Sequence, residues 1–235
     1  MTRRILVTGA LGHIGSALIR NLQLSEIREV SMLDNLSTQR YASLFNLPDG
    51  VRFTFIQDDI LDIDLEGLVK DVDVVVHLAA ITDATSSFER REEVEQVNYE
   101  GTKRVAQACI NSGAGLLFPS TTSVYGSQSE VVDEMCPLED LKPQSPYAEY
   151  KLKSELMLKE LQDEGLRFIV CRFGTIFGVS SGMRFHTAVN KFCWQAVLSQ
   201  PLTVWKTAMY QKRPYLGVND AVSAIRFIIS AKLFG

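Results

Sequence analysis

Short runs rich in β-branched and other apolar residues recur along the first three quarters of the chain: Arg4–Thr8, Glu29–Leu33, Val51–Ile56, Val72–Leu78, Leu116–Ser120 and Phe168–Phe173. Several are continuously apolar rather than alternating, as expected of strands covered on both faces in a parallel sheet. Between them the spacing predicts helices, most clearly over Ile14–Leu22, Arg90–Asn111 and Ala148–Glu164. In the second of these, Val94, Val97, Gly101, Val105 and Ala108 hold one helical stripe. Alternation of this kind predicts a doubly wound parallel α/β sheet over residues 1–178. Beyond Gly178 the pattern changes to a helix over Thr187–Leu198, short strands at Leu202–Trp205 and Tyr215–Val218, and a last helix over Asp220–Ala231. A small second region, 179–235, packed on the first, is the expectation. The longest irregular stretch, Gly126–Pro146, carries Pro137, Pro143 and Pro146 and stands directly before Tyr147. Loops of that length are often functional, and this one is expected to cover a site.

Composition narrows the class only a little. At 235 residues, 46% apolar and 22% charged, the chain suits one large globular domain with an appendage. A net charge of −4 gives no electrostatic reason to expect nucleic acid or an anionic membrane, and no stretch approaches membrane-spanning length. Cys109, Cys136, Cys171 and Cys193 are scattered, with no CxxC or CxxH pair. Cys171 and Cys193 sit in apolar runs, so buried free thiols and a cytoplasmic location are expected. The histidines are not clustered with other ligands, which argues against a metal. His77 reads as a core residue in a strand, His13 as a loop residue whose backbone matters, and His186 has no visible partner. Trp194 and Trp205 read as core or pocket wall.

The chemistry starts at Gly9-Ala10-Leu11-Gly12-His13-Ile14-Gly15, which follows a strand and opens a helix. Gly9 permits the tight turn, Gly12 lets backbone approach a pyrophosphate, and Gly15 allows close helix packing. The helix N-terminus then offers free amides to the anion. Asp34 ends the next strand about twenty residues on, where an acid takes ribose hydroxyls. A carboxylate there repels a 2′-phosphate, and no arginine follows immediately, so NAD is favoured over NADP. An Asp-Asn turn is the plainer alternative for Asp34 and Asn35. Small residues close the fourth strand at Leu78, Ala79 and Ala80, where a dinucleotide can lie close. Further along, Tyr147 and Lys151 share a helix face at i and i+4. A fixed charge beside a phenol favours its phenolate.

With Gly9–Gly15, Leu33-Asp34-Asn35, Asp59-Ile60, Val76–Ala80, Asn98, Phe118–Gly126 and Tyr147–Lys151 in this order, the chain resembles the NAD-dependent nucleotide-sugar epimerase/dehydratase family of extended short-chain dehydrogenase/reductases. The resemblance implies an NAD-binding Rossmann fold with Thr121, Tyr147 and Lys151 as the catalytic set. It implies cofactor contacts from Gly9, Gly12, His13, Ile14, Gly15, Asp34, Asn35, Asp59, Ile60, Leu78, Ala79, Ala80, Asn98, Tyr147 and Lys151. On the substrate side it implies Thr121, Tyr147, Thr175, Asn190 and Arg213. Thr121 stands three positions before Val124-Tyr125-Gly126, where its hydroxyl can donate and accept. A capping role is the plain alternative, which Thr122 and Ser123 fit better. At the next two positions the resemblance implies acidic residues in the dehydratases of the family and a Glu in its decarboxylases. This chain has Thr122 and Ser123, which favours epimerisation, most directly at C4 of a UDP-hexose or UDP-uronate.

Departures are visible too. Pro119 and Tyr150 stand where serines are common, and Thr175 where many relatives have Asn. Arg213 could equally belong to a solvated basic patch around Lys212, and Asp220 to a helix cap. The family pattern usually runs well past the last helix, so a fragment, a shortened form or a pocket completed by a partner are all open readings. A homodimer through the Arg90–Asn111 and Ala148–Glu164 helices is also implied. Two other functions stay in view: a nucleotide-sugar reductase or dehydrogenase with net hydride transfer, and an NAD sensor.

Overall fold

The apolar runs pair as their composition requires. In the computed structural model, which describes residues 3–22, 25, 27–127, 131–204, 206, 210 and 212–235, β1 (Arg3–Thr8), β2 (Ile27–Asp34), β3 (Arg52–Gln57), β4 (Val74–His77), β5 (Gly115–Thr121) and β6 (Arg167–Phe173) form one sheet. Its order is β3-β2-β1-β4-β5-β6, with every pairing parallel. The order reverses between β1 and β4. In open α/β sheets ligands bind beyond the strand C-termini at such a switch point, which is where Thr8 and His77 end their strands.

Two apolar layers cover the sheet. On one face α1 (His13–Asn21) and α7 (Val218–Ala231) lay Leu18, Ile19, Val222, Ile225 and Ile229 over Ile5, Val7 and Val76. Residues 218–231 therefore share a core with residues 5–32. The other face is covered by α2 (Leu65–Val69), α4 (Gly101–Ser112) and α5 (Pro146–Leu161), with Val105, Ala108 and Leu158 over Leu6, Val75, Leu116 and Phe118. Burying each large aliphatic side chain is worth about 1.5–3 kcal/mol, whereas exposed ion pairs such as Arg90–Glu93 add at most about 1 kcal/mol. The layers, not the surface charges, hold the sheet.

The helix predicted over Arg90–Asn111 begins as α3 (Arg91–Val94), widens into a π turn over Glu95–Glu100 and continues as α4. π turns place side chains where a regular helix would not, and here the wide turn carries Asn98. The second region holds α6 (Ala188–Val197) and a two-stranded parallel sheet of β7 (Thr175–Phe177) and β8 (Tyr215–Gly217). The strand expected at Leu202–Trp205 is not formed over 202–204, and Trp205 lies outside the described residues. β7 was not anticipated; Gly174 separates it from β6 and sends Thr175 to pair with Tyr215. Gln128, Ser129 and Glu130 of the expected covering loop also lie outside the described residues.

Cysteine placement departs from expectation. Cys109 is buried and Cys171 half-buried, but Cys193 is exposed because it lies on the outer face of α6. All four thiols are free, and burial pushes Cys109 up to about 12 and Cys171 up to about 11. Trp194 is likewise half out in solvent beside Phe185, rather than a core residue. Among the described residues no helix is long and apolar enough to cross a membrane, and no cluster of three potential metal ligands occurs.

Candidate active site

At the switch point lies a cavity of about 410 Å³. Its walls carry Gly9, Gly12, His13, Ile14, Gly15, Asp34, Asn35, Asp59, Ile60, Leu78, Ala79 and Ala80, nearly the whole of the cofactor set read from the sequence. Gly9 adopts φ +63°, and a Cβ there would come within 2.6 Å of the Ala79 backbone nitrogen. One on Gly15 would stand 2.6 Å from the carbonyl oxygens of Gly9 and Ala10. Both glycines are thus dictated by backbone-to-backbone approach. The N-terminus of α1 has no side-chain cap and no acid in its first turn, leaving its amides to an anion.

Asp34 does more than face the cavity. Its carboxylate accepts from Leu11 N at 3.0 Å and Leu36 N at 2.9 Å, fixing the glycine loop to the end of β2. Each oxygen keeps a lone pair for a ribose hydroxyl. Asn35 donates to Asp59 at 2.7 Å. Arg40, unnoticed in the sequence because it lies six residues past Asp34, is also on the wall. Burial lowers its pKa and Asp34 pulls it back up, so the cation is matched to that carboxylate.

Asn98 is not on the cavity wall. Its carboxamide closes a pair of bonds with Ile81, accepting from N and donating to O, both at 2.8 Å. It fixes Ile81, which is on the wall. His77 is the buried core residue expected. Its Nδ1 is 2.8 Å from Thr8 Oγ1 and its Nε2 3.1 Å from Thr102 Oγ1. Since Thr102 donates to Asn98 O and Ala79 N donates to Thr8 Oγ1, the consistent assignment is a neutral ring protonated on Nε2. Burial, with Lys151 second, lowers its pKa to about 3.

Two other histidines depart from their readings. The His13 ring is buried and its Nε2 lies 2.9 Å from Gly178 O, so its side chain counts as well as its backbone. His186 meets the Arg184 guanidinium. Both contacts belong to residues 178–186, which run as a strap across the mouth. Gly182 N donates to Ser16 Oγ at 2.9 Å, and a Cβ on Gly182 would meet the carbonyl oxygens of Leu11 and Gly12. Arg184 Nη2 reaches Thr82 O on the opposite lip at 3.3 Å. Asn190, read as a phosphate neighbour, instead uses both ends of its amide on this strap, accepting from Gly178 N at 3.0 Å and donating to Arg184 O at 2.8 Å.

The Thr121, Tyr147 and Lys151 set is assembled by β5 and α5. Ser145 caps α5 by accepting from Ala148 N, and Pro146 takes the first helical position, where its missing N–H costs nothing. Tyr147 follows at once and is half-buried. Thr121 ends β5, with its hydroxyl near enough to the Tyr147 phenol to lower its pKa. Thr121 also accepts from Ser123 N at 3.1 Å, capping the turn Thr122–Tyr125. The cap expected of Thr122 and Ser123 is therefore made by Thr121 itself. Burial raises the Tyr147 pKa, opposed by the Arg184 charge and by the Thr121 hydroxyl. The cation acting on the phenol is thus Arg184, a residue the sequence gave no reason to single out.

Lys151 is buried, donates to Pro119 O at 2.8 Å and lies 4.3 Å above the Phe118 ring. Burial lowers its pKa to about 8 against an upward pull from Glu155. None of the three lines the main cavity; Arg184, which does, is their link to it. Thr175 opens β7 and donates its N–H to Pro214 O at 3.0 Å. Arg213 precedes that proline and is exposed.

The pattern described as the NAD dependent epimerase/dehydratase family matches residues 5–233. The chain belongs to this family. It is 36% identical to a UDP-glucose 4-epimerase of Mycolicibacterium smegmatis over 94% of its own length and 71% of that protein's. With UDP-glucuronic acid decarboxylase 1 of Danio rerio it shares 28% identity, over 98% of this chain but 55% of that one. A UDP-glucuronic acid 4-epimerase of Bacillus cereus, solved with UDP-glucuronic acid and NAD, superposes with a TM-score of 0.84 at 30% identity, covering 99% of this chain and 75% of that one. The extended short-chain dehydrogenase/reductase fold and NAD dependence read from the motifs are those of the family. As a family member the chain fits its cofactor on structural grounds: backbone contacts exclude a side chain at Gly9 and Gly15, and no side chain caps the N-terminus of α1.

Proposed function

We propose that this chain inverts C4 of a UDP-hexose or UDP-uronate, with NAD as a resident hydride carrier. The observation that carries the reading is the Thr121 hydroxyl placed at the Tyr147 phenol, where it lowers the phenol pKa, beside a dinucleotide-shaped cradle, with no acid at Thr122 or Ser123. When bound, NAD supplies the acceptor that takes the C4 hydride and returns it. The chain does the rest. Tyr147 removes the proton of the C4 hydroxyl as base and restores it as acid. Thr121 holds the same oxygen through alcohol and ketone, its acceptor side already directed at Ser123 N. Lys151 holds the nicotinamide ribose, Gly9 to Gly15 the pyrophosphate, and Asp34 the adenosine ribose. Arg213 and Thr175 sit on the substrate side, with Asn190 acting through the strap. After oxidation the keto-sugar turns in its pocket and receives the hydride on its other face.

The decarboxylases among the relatives are the nearest rival. An acid next to Thr121 is the group their chemistry uses, and its absence here favours plain inversion. A homodimer and a cytoplasmic location belong to the same reading, the latter supported by four free thiols. Purified protein incubated with UDP-, GDP- and dTDP-sugars, followed by proton NMR, should give a C4 epimer of a UDP-sugar. Turnover of none of them, alongside tight NAD binding, would favour a sensor instead.

Cofactor retention separates an epimerase, which recycles NAD, from a net oxidoreductase, which must exchange it. The strap provides the retention. Gly182→Val forces a side chain against the Leu11 and Gly12 carbonyls, and overpacking of about 1–3 kcal/mol falls on the closed strap. NAD should then dissociate roughly tenfold faster or more, measured by stopped-flow fluorescence. An unchanged rate would show that the strap does not hold the dinucleotide.

A further inference from the structure

Beneath the Thr121–Tyr147–Lys151 set lies a buried ion pair that the reaction as described does not use. Glu155 is one helical turn past Lys151 on α5, only 8% exposed. Its carboxylate takes the Arg172 guanidinium at 2.6 Å from Nη2 and 3.1 Å from Nε, and receives the Ser120 hydroxyl. Arg172 in turn donates to the Tyr125 hydroxyl at 3.2 Å and stacks over that ring at 5.0 Å. Ser120 and Arg172 are register partners across β5 and β6.

Position gives this pair its meaning. Ser120 stands between Pro119, whose carbonyl takes the Lys151 ammonium, and Thr121, whose hydroxyl lies near the Tyr147 phenol. Glu155 therefore ties α5, β5 and β6 together at the one place where the helix that carries Tyr147 and Lys151 meets the strand end that receives both. A buried ion pair with good geometry is weak evidence of stability, because desolvation offsets most of its attraction. Its cost calls for another use.

We propose that Glu155 is a positioning residue for the reaction, holding Lys151 cationic and the end of β5 in place, with Arg172 setting how much of its charge Lys151 feels. The proposal rests on the epimerase reading for its activity assay only. Among the described residues the charged and titratable groups that act on Lys151 are Glu155 on α5 and His77 on β4, with Tyr147 one turn earlier on α5 and Arg172 of β6 held on Glu155, and His77 is neutral. Burial alone disfavours the ammonium, so the single carboxylate is what opposes loss of its proton.

The signs follow. Activity that needs Lys151 charged is complete below its pKa and lost as pH rises through it. Glu155→Gln keeps shape and a hydrogen-bond acceptor for Ser120 but removes the charge, so the loss should begin at lower pH, by about one unit. Arg172→Gln frees the Glu155 charge to act on Lys151 alone, so the loss should begin at higher pH. A merely structural pair would lower activity in both variants without moving the limb in opposite directions.

The experiment is a titration of the Lys151 ε-carbon by NMR in carbon-13 lysine-labelled protein, assigned with Lys151→Met, in wild type and both variants. It is read together with kcat against pH on the UDP-sugar that wild type converts. Opposite displacements of the titration support the proposal, and Glu155→Asp should restore the wild-type midpoint. Should one variant fail to fold, the displacement in the other decides by its sign. Coincident titrations in all folded proteins would overturn it. A wild type that turns over no sugar defeats the functional reading, while the NMR midpoints still decide the role of Glu155.

Discussion

Tyr147→Phe is expected to lower kcat for epimerisation by about 10²–10⁴-fold, the usual worth of a positioned acid–base group, with little change in NAD binding. The phenol is the group that meets Thr121, and Thr121 is already anchored by Ser123 N, so a sugar hydroxyl brought to Thr121 arrives beside the phenol oxygen. Phenylalanine keeps the ring and the packing at the first turn of α5 and removes only that oxygen. The Tyr147 N–H bond to Ser87 Oγ at 3.4 Å is a backbone contact and stays. Because burial holds the phenol above its ordinary range and lowers Lys151 to about 8, wild-type activity should rise as phenolate forms, fall as the Lys151 charge is lost, and so peak between the two, and the rising side should vanish in the variant. Steady-state rates across pH, with NAD content read by absorbance, check both parts. A variant within a few-fold of wild type would remove Tyr147 from the chemistry.

Gly9→Ala should have the largest effect on folding and cofactor together. At φ +63° an alanine pays about 1–2 kcal/mol in conformation. Its Cβ would also lie 2.6 Å from Ala79 N and 2.7 Å from the Leu78 carbonyl carbon, backbone atoms that cannot turn aside, for about 1–3 kcal/mol more. Gly113→Ala is the matched control, since φ is +72° there and nothing lies within 4 Å of the added carbon. At 2–4 °C per kcal/mol for a chain of this size, Gly9→Ala should lose roughly 4–20 °C in Tm and Gly113→Ala only about 2–8 °C. NAD binding should fail in the first and survive in the second. Equal losses in the two would mean that the close approach of β1 and β4 is not what requires glycine.

Most of the fold was legible because parallel strands buried on both faces cannot hide: Val74–His77 and Leu116–Phe118 are apolar on both sides and read so. The glycine loop was legible because Gly9 and Gly15 answer to backbone contacts that only their residue type satisfies. What sequence did not expose depends on distance through space. Arg184 acts on Tyr147 from 37 positions away, and Gly182 sits on a loop 170 residues earlier. Glu155 and Arg172 are 17 positions apart and meet only because β6 is registered on β5. Asn98 and Asn190 show how little a family pattern says about what an amide bonds within the chain. Both act on backbone, Asn98 through Ile81 and Asn190 through Gly178 and Arg184. Cys193 misled because an apolar helix run was read as buried all round, whereas α6 turns that side outward.

In the proposed function, hydride leaves C4 and comes back to C4 of the same sugar. The most direct measurement uses a UDP-sugar carrying deuterium at C4, converted in ordinary water and examined by NMR and mass spectrometry. A C4 epimer that keeps its deuterium at C4 is expected, with no net accumulation of NADH. Deuterium lost to solvent, or NADH formed in step with product, would contradict it.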